Sequence, residues 1–292
     1  MMKQKKYVWA WFLAPSFIGV LLFVLIPFFD VIRRSFLTAV TGKFAGLSNY
    51  KLIFETPAFL LAVKNTFRFT LTCIPILIAL GLVTALLLTK IKQIQFIKSM
   101  LLFPMAVPAA AIVLIWKMIF YKQGFLNDFL FKVSEFFGFG WNFTGSTAPD
   151  YMGTKMAFWV LVISYIWKYL GYTVVLWLAG ISSISTDIIE AAKVDGAGER
   201  KCFFRIILPN LKGTLYTITV LSFLNSFKVF REAYLVAGSY PDKSMYLLQH
   251  LFNNWYVNLD LDKMAAAAVL VGGVLFFFIF LLQRLWDEKE KV

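Results

Sequence analysis

Glu190-Ala191-Ala192-Lys193-Val194-Asp195-Gly196 is followed, after nine residues, by Ile206-Ile207-Leu208-Pro209. This segment is short, polar and jointed, and it lies between two strongly apolar runs. Ser185 or Asp187 can cap a helix here, and Asp187 with Glu190 three residues on has the spacing of a capping box. Glu190 near the helix start is favoured by the positive end of the helix dipole. Ile188, Ala191, Ala192 and Asp195 recur at helical spacing, which predicts a flat face of mostly small residues open to a partner. Gly196-Ala197-Gly198 should end that helix, because glycine adopts backbone angles closed to other residues. A basic stretch with Arg200, Lys201 and Arg205 follows, and Pro209 marks the start of the next apolar run. The pattern predicts two short helices meeting at a glycine elbow over 184–209.

The surroundings decide where such an elbow sits. Of 292 residues, 60% are hydrophobic and only 15% are charged, where a soluble domain has about a quarter charged. The apolar residues fall into six runs, near 9–29, 67–89, 99–120, 156–179, 210–230 and 264–283. Each is about twenty residues, enough at 1.5 Å per residue to cross a bilayer core. The chain is therefore expected to be all-α and membrane-spanning, a single domain over 1–292 with six crossings. The run from Tyr7 to Phe29 is longer than a signal-peptide core and has no small-residue cleavage site after it, so it is expected to stay as an anchor.

The net charge of +13 would suggest nucleic acid in a soluble protein. Here the cations flank apolar runs, which points to lipid headgroups and topology, with no nucleic-acid partner. Lys3, Lys5, Lys6, Lys90, Lys92, Lys98, Lys193, Arg200, Lys201, Arg205, Lys212, Arg284, Lys289 and Lys291 cluster in short segments on one side. Arg33, Arg34, Lys43, Lys51, Lys122, Lys132 and Lys243 are spread through longer segments on the other. This density difference is modest by itself and favours both termini in the cytoplasm. The three long external stretches, near 30–66, 121–155 and 231–263, carry Pro57, Trp141, Pro149, Pro241 and Trp255 and are expected to be folded caps.

The fixed positions of the opening segment (E-A-A, three residues, G, nine residues, I-x-L-P) resemble the signature of membrane subunits of binding-protein-dependent ABC importers. Gly46-Leu47-Ser48-Asn49-Tyr50, with Phe59 and Asn65-Thr66 beyond, is similar to the external segment after the first helix of sugar-importing permeases. The resemblance covers nearly the whole chain and points to the maltose and glycerol-phosphate permease branch, with its MetI-like transmembrane fold. It implies that Glu190, Ala191, Ala192, Asp195, Gly196, Ala197, Ile206, Leu208 and Pro209 form a coupling helix that docks on a separate ATPase. It further implies a second homologous permease, two ATPase subunits, an external solute-binding protein and a carbohydrate cargo, expected to be an oligosaccharide moved by ATP-driven alternating access. Glycerol phosphate, polyamines and amino acids remain alternative cargoes, and a membrane-embedded enzyme is the alternative of another class.

Polar residues within the runs locate a solute pathway, since they are costly unless they face protein or water. Tyr165, Lys168, Tyr169 and Tyr172 fall on one helical face of the fourth run, and Ser222, Asn225 and Ser226 on one face of the fifth. Aromatic rings suit the apolar face of a pyranose, and amides and hydroxyls suit its hydroxyl groups. Lys168, Tyr169, Tyr172, Ser222, Asn225 and Ser226 are the candidate pathway residues, with helix packing as the competing explanation for the hydroxyls. Lys168 and Lys228 could instead favour an anionic solute, and Arg68 and Lys117 are expected to snorkel.

The sequence has no G-x-x-x-x-G-K-[ST] phosphate loop, no G-x-S-x-G and no H-E-x-x-H. No catalytic residue, metal ligand set or cofactor is therefore expected in this chain, with ATP and Mg held by the partner ATPase. Cys73 and Cys202 lie too far apart in the pattern to pair. His250 is expected in an external loop, solvated or locally bonded. Asn142-Phe143-Thr144 fits a glycosylation acceptor, set aside because the resembled family is largely bacterial.

Overall fold

The computed structural model describes residues 8–91, 94–141, 143 and 147–290. Lys3, Lys5, Lys6, Lys92, Lys291, Asn142, Thr144 and the side chain of Lys289 lie outside the described residues. In chain order the helices are α1 (Val8–Val20), α2 (Ile26–Ser35), α3 (Ser48–Glu55), α4 (Pro57–Leu88), α5 (Ile94–Ala106), α6 (Ala109–Phe120) and α7 (Phe125–Phe137). Then come α8 (Ala157–Ser182), α9 (Thr186–Val194), α10 (Glu199–Cys202), α11 (Leu208–Asn210), α12 (Lys212–Ser226), α13 (Phe230–Ala237), α14 (Leu248–Val257) and α15 (Leu261–Glu290). Among the described residues the only β pairing is one isolated bridge, Leu37 with Phe44. Among the described residues, five helices are long and apolar enough to cross a membrane, and a sixth is added when the bent pair 199–210 and 212–235 counts as one span. The fold is the expected all-α membrane bundle.

Two of the expected runs have a different internal structure. The third, 99–120, is broken at Val107-Pro108 into α5 and α6, because Pro108 takes an extended ψ of 141° and offers no amide to continue the ladder. The crossing-length stretch there is Ala109–Phe137, with Ile94–Ala106 a shorter apolar helix before it. The fifth, 210–230, is entered through a 60° bend at Leu211 and continues past its expected end to Leu235. Two π turns, Leu21–Leu25 and Phe203–Ile207, each sit just before a proline, Pro27 and Pro209. Proline cannot donate to the carbonyl four residues back (Phe23 and Arg205), and the ladder widens at that point.

The chain forms two compact units, 61–250 and 1–60 with 251–292. In the second of these, α15 packs on α2 and α3, and Ala265, Ala266 and Ala267 in its first turns are buried. Asn49, only 4% exposed, donates from Nδ2 to the carbonyls of Ser35 (3.0 Å) and Leu37 (2.8 Å). It thus satisfies acceptors left over at the end of α2, and the Ser35 and Tyr50 hydroxyls bond at 2.7 Å beside it. The Gly46–Tyr50 segment is in this way a clasp that fixes the outgoing chain after the first crossing.

In the unit 61–250, α8 is the axle. Helices α5 and α12 run along it, and the seams are made by glycine. A Cβ on Gly171 would stand 1.8 Å from the Leu101 carbonyl oxygen of α5, one on Gly180 2.2 Å from Thr214 Oγ1 of α12, and one on Gly81 of α4 2.6 Å from Thr173 Cγ2. Small residues let membrane helices approach until backbones touch. Two apolar cores cap the axle. One gathers Ala85, Leu88, Trp177, Leu178, Leu211 and Ile218 around the end of α8 that leads into α9. The other gathers Phe69, Cys73, Phe158, Leu161, Tyr165, Val229 and Ala233 toward its start. Both cysteine thiols are free. Gly171→Val is expected to lower stability by roughly 3 kcal/mol or more, because the clash is with a backbone atom that cannot rotate away. Gly198→Ala, which meets open space, should keep the wild-type melting midpoint in detergent.

His250 departs from the expected external loop. It is fully buried in the first turn of α14, where Nδ1 accepts the Leu247 amide at 3.2 Å and the ring stacks on Tyr246 at 5.7 Å. Burial lowers its pKa from 6.5 to about 4. The folded chain therefore holds fewer protons at His250 than the unfolded chain does. Its contribution is complete above about pH 6.5 and erodes as pH falls from there toward 4. His250→Asn keeps an acceptor for the Leu247 amide and should flatten the drop in melting midpoint between pH 7 and pH 4.5.

Candidate functional site

The elbow forms as the residues dictate. Ser185 is the cap of α9, accepting the Asp187 amide at 3.2 Å; Asp187 lies inside the helix and is not the cap. The helix ends in a Schellman pattern: the Gly196 amide bonds to Lys193 O at 3.0 Å and the Ala197 amide to Ala192 O at 2.9 Å. Gly196 has φ +80°, the left-handed angle that this closure needs and glycine tolerates. The chain turns through Ala197-Gly198 into α10, and Cys202 packs its buried thiol against the Ala197 carbonyl at 3.5 Å. No residue of α9 is buried. Ile188 is 52% and Val194 87% exposed. Glu190, Ala191, Asp195, Gly196 and Pro209 are also exposed, while Ala192, Ala197, Ile206 and Leu208 are half-buried. The π turn and the bend at Leu211 then return the chain to α12.

The candidate pathway residues divide into two groups. Tyr169, Ser222 and Ser226 are buried within this single chain. Ser226 Oγ bonds to Thr70 Oγ1 at 3.2 Å and to the Phe223 carbonyl at 2.7 Å. Ser222 offers its backbone carbonyl to the Tyr165 hydroxyl at 2.8 Å. Tyr165 also meets Phe69 edge-on at 5.4 Å and Tyr169 at 4.8 Å. These groups tie α4, α8 and α12 together, the packing role that small polar residues play between membrane helices. Tyr172 and Asn225 are half-buried, and neither side chain has a hydrogen-bond partner among the described residues.

Lys168 forms an ion pair with Glu232 of α13, at side-chain exposures of 18% and 7%, and its ammonium lies 5.6 Å from the centre of the Tyr169 ring. The sequence pattern placed Glu232 in an external cap and did not single it out. Its only signal there was a lone carboxylate two residues past an apolar run. The helix in fact continues through a 3-10 turn, Phe227–Val229, into α13. Arg68 stacks on Phe158, 4.0 Å from the ring centre, while Lys117 and Lys228 are exposed. Among the described residues no three or more His, Cys, Asp or Glu come together as a metal site would require. Glu232→Ala strands Lys168 without its counter-charge and should cost about 3–5 kcal/mol in a thermal or denaturant melt, whereas the paired Lys168→Met/Glu232→Leu change should cost much less.

Residues 77–292 match the family described as binding-protein-dependent transport system inner membrane component. The chain is 29% identical to a probable starch degradation products transport system permease protein of Thermoanaerobacterium thermosulfurigenes, covering 99% of this chain and 97% of the relative. It is 30% identical to a sulfoquinovosyl glycerol transport system permease protein of Agrobacterium fabrum, over 89% and 83%. It is 28% identical to a trehalose/maltose transport system permease protein of Thermococcus litoralis, over 88% and 85%. In fold it is similar to a chain of a bacterial ABC transporter involved in the import of the acidic polysaccharide alginate, with a TM-score of 0.80 at 17% identity over 97% and 96% of the two chains. The elbow, the apolar bundle and these likenesses agree: the chain belongs to the family of inner membrane components of binding-protein-dependent ABC transport systems.

Proposed function

We propose that this chain is one of two permease subunits of a carbohydrate importer, moving a glycan inward by ATP-driven alternating access. The observation that carries this reading is the exposed α9–α10 elbow. It is a polar knob with uncovered apolar side chains, held rigidly at its own hinge and covalently continuous with α8 and α12. An ATPase subunit that grips Ile188, Glu190, Ala191, Asp195 and Val194 would move those two helices with it. Glycine seams make α8 and its neighbours respond as a unit, which is what a rigid-body switch between inward and outward states requires. The carbohydrate assignment is supported by the named cargoes of the relatives, which include starch products and trehalose/maltose.

In this reading the elbow and both termini face the cytoplasm, where the ATPase pair holds ATP and Mg. A second, homologous permease supplies the other knob, and an external binding protein delivers the glycan. The chain itself performs no bond-breaking step; energy enters through the differential grip of the ATPase on the two states.

Gly196→Pro removes the amide that closes α9 and forbids φ +80°, so it should reshape the elbow without touching the bundle. In proteoliposomes with binding protein, glycan-stimulated ATP hydrolysis and uptake should both fall by about tenfold or more, as an interface displaced from its partner does. The yield of assembled permease should be unchanged. Normal uptake by this variant would remove the coupling role.

A further inference from the structure

Lys168 is the twelfth of the 26 residues of α8, within about two positions of the middle of a candidate membrane span. Its ion pair with Glu232 brings α13 within reach of that depth. The 3-10 turn leading into α13 is amphipathic in an unusual way. Ser226, Val229, Glu232 and Ala233 are 0–5% exposed, and Val229 and Ala233 join the core of Tyr165 and Tyr169. Between them Lys228 and Arg231 point away from that core and are exposed. Neither has an ion-pair partner among the described residues. Glu232 is the one carboxylate on α4, α5, α6, α8, α12 and α13, and Lys168 already takes it.

Two uncompensated cations within one turn of Glu232, the residue that pairs with Lys168, are costly against hydrocarbon. The cost of an Arg or Lys at the bilayer centre is roughly 3 kcal/mol each, even after snorkelling. They therefore face water or another protein surface, and in transporters midplane charges line the solute route. We propose that Lys228 and Arg231 line the solute pathway of this permease and select an anionic glycan, one bearing carboxylate, sulfonate or phosphate groups. Lys168 takes no part in this recognition, since Glu232 neutralises it in place. Arg231 can meet a carboxylate with two parallel hydrogen bonds and Lys228 adds a point charge, so an acidic sugar gains from both where a neutral one gains from neither. The assignment rests on the importer reading above and deepens it.

The test uses the complete transporter with its second permease, ATPase and binding protein in proteoliposomes, with trigalacturonate and maltotriose as acidic and neutral probes. Wild type should take up trigalacturonate. Lys228→Gln/Arg231→Gln should reduce that uptake about tenfold or more through loss of charge-assisted hydrogen bonds, at unchanged yield and unchanged basal ATP hydrolysis. Lys228→Arg should retain it. Uptake of maltotriose but not trigalacturonate by wild type would overturn the charge assignment and leave the importer reading standing. So would full trigalacturonate uptake by the double variant, or an equal loss for both probes. Uptake of neither, with no probe stimulating ATP hydrolysis, would overturn the carbohydrate reading itself.

Discussion

The contact on which this bundle depends is the one between Gly171 and the Leu101 carbonyl, where two helices meet with no side chain between them. Lipid provides no hydrophobic force to press apolar helices together, so association rests on close van der Waals fit and interhelical hydrogen bonds. Gly171 and Gly180 recess the surface of α8 on the faces that receive α5 and α12, and Gly81 recesses α4 where α8 crosses it. The hydroxyls of Thr70, Tyr165 and Ser226 and the indole of Trp177, which donates to the Ile78 carbonyl at 3.2 Å, then lock those approaches in register. In the proposed coupling role the elbow needs stiff supports. A knob hung from loosely packed helices would absorb a push that closely packed ones pass on.

Charge within the bundle follows the same economy of contact. A lone Lys168 near midspan would be costly, and Glu232 makes it tolerable while fastening α13 to α8. That pairing explains how a helix interrupted by a 3-10 turn still holds one position. It also leaves Lys228 and Arg231 without an ion-pair partner among the described residues, and so separates the charges that build the protein from those open to something outside it.

Much of this is legible in the amino-acid sequence. Apolar run length gave an all-α membrane chain because a bilayer sets a length, and glycine and proline marked the elbow because Gly196 admits a left-handed angle and Pro209 withholds an amide. The Gly46–Tyr50 segment was visible as a pattern, but its physical purpose, Asn49 holding the carbonyls of Ser35 and Leu37, needed three dimensions. Periodicity placed Ser222 and Ser226 on one face of α12 but could not say which neighbour that face meets. The neighbours are Tyr165 and Thr70, inside the same subunit. The break at Pro108 was hidden by composition, since α5 and α6 read as one apolar run. Glu232 and His250 were missed for one reason: a polar residue past the end of an apolar run looks solvated unless the chain is known to fold back over it.

The most direct measurement is site-directed cross-linking of the elbow in the assembled transporter. A cysteine at Val194, exposed and free of internal contacts that the fold needs, would be probed with a short bifunctional reagent in the presence and absence of nucleotide. The expected result is a cross-link to the ATPase subunit that changes in yield with ATP, together with protection from a membrane-impermeant thiol reagent applied outside intact cells. Labelling of Val194→Cys from outside, or a cross-link pattern that never includes the ATPase, would contradict the coupling role on which the reading stands.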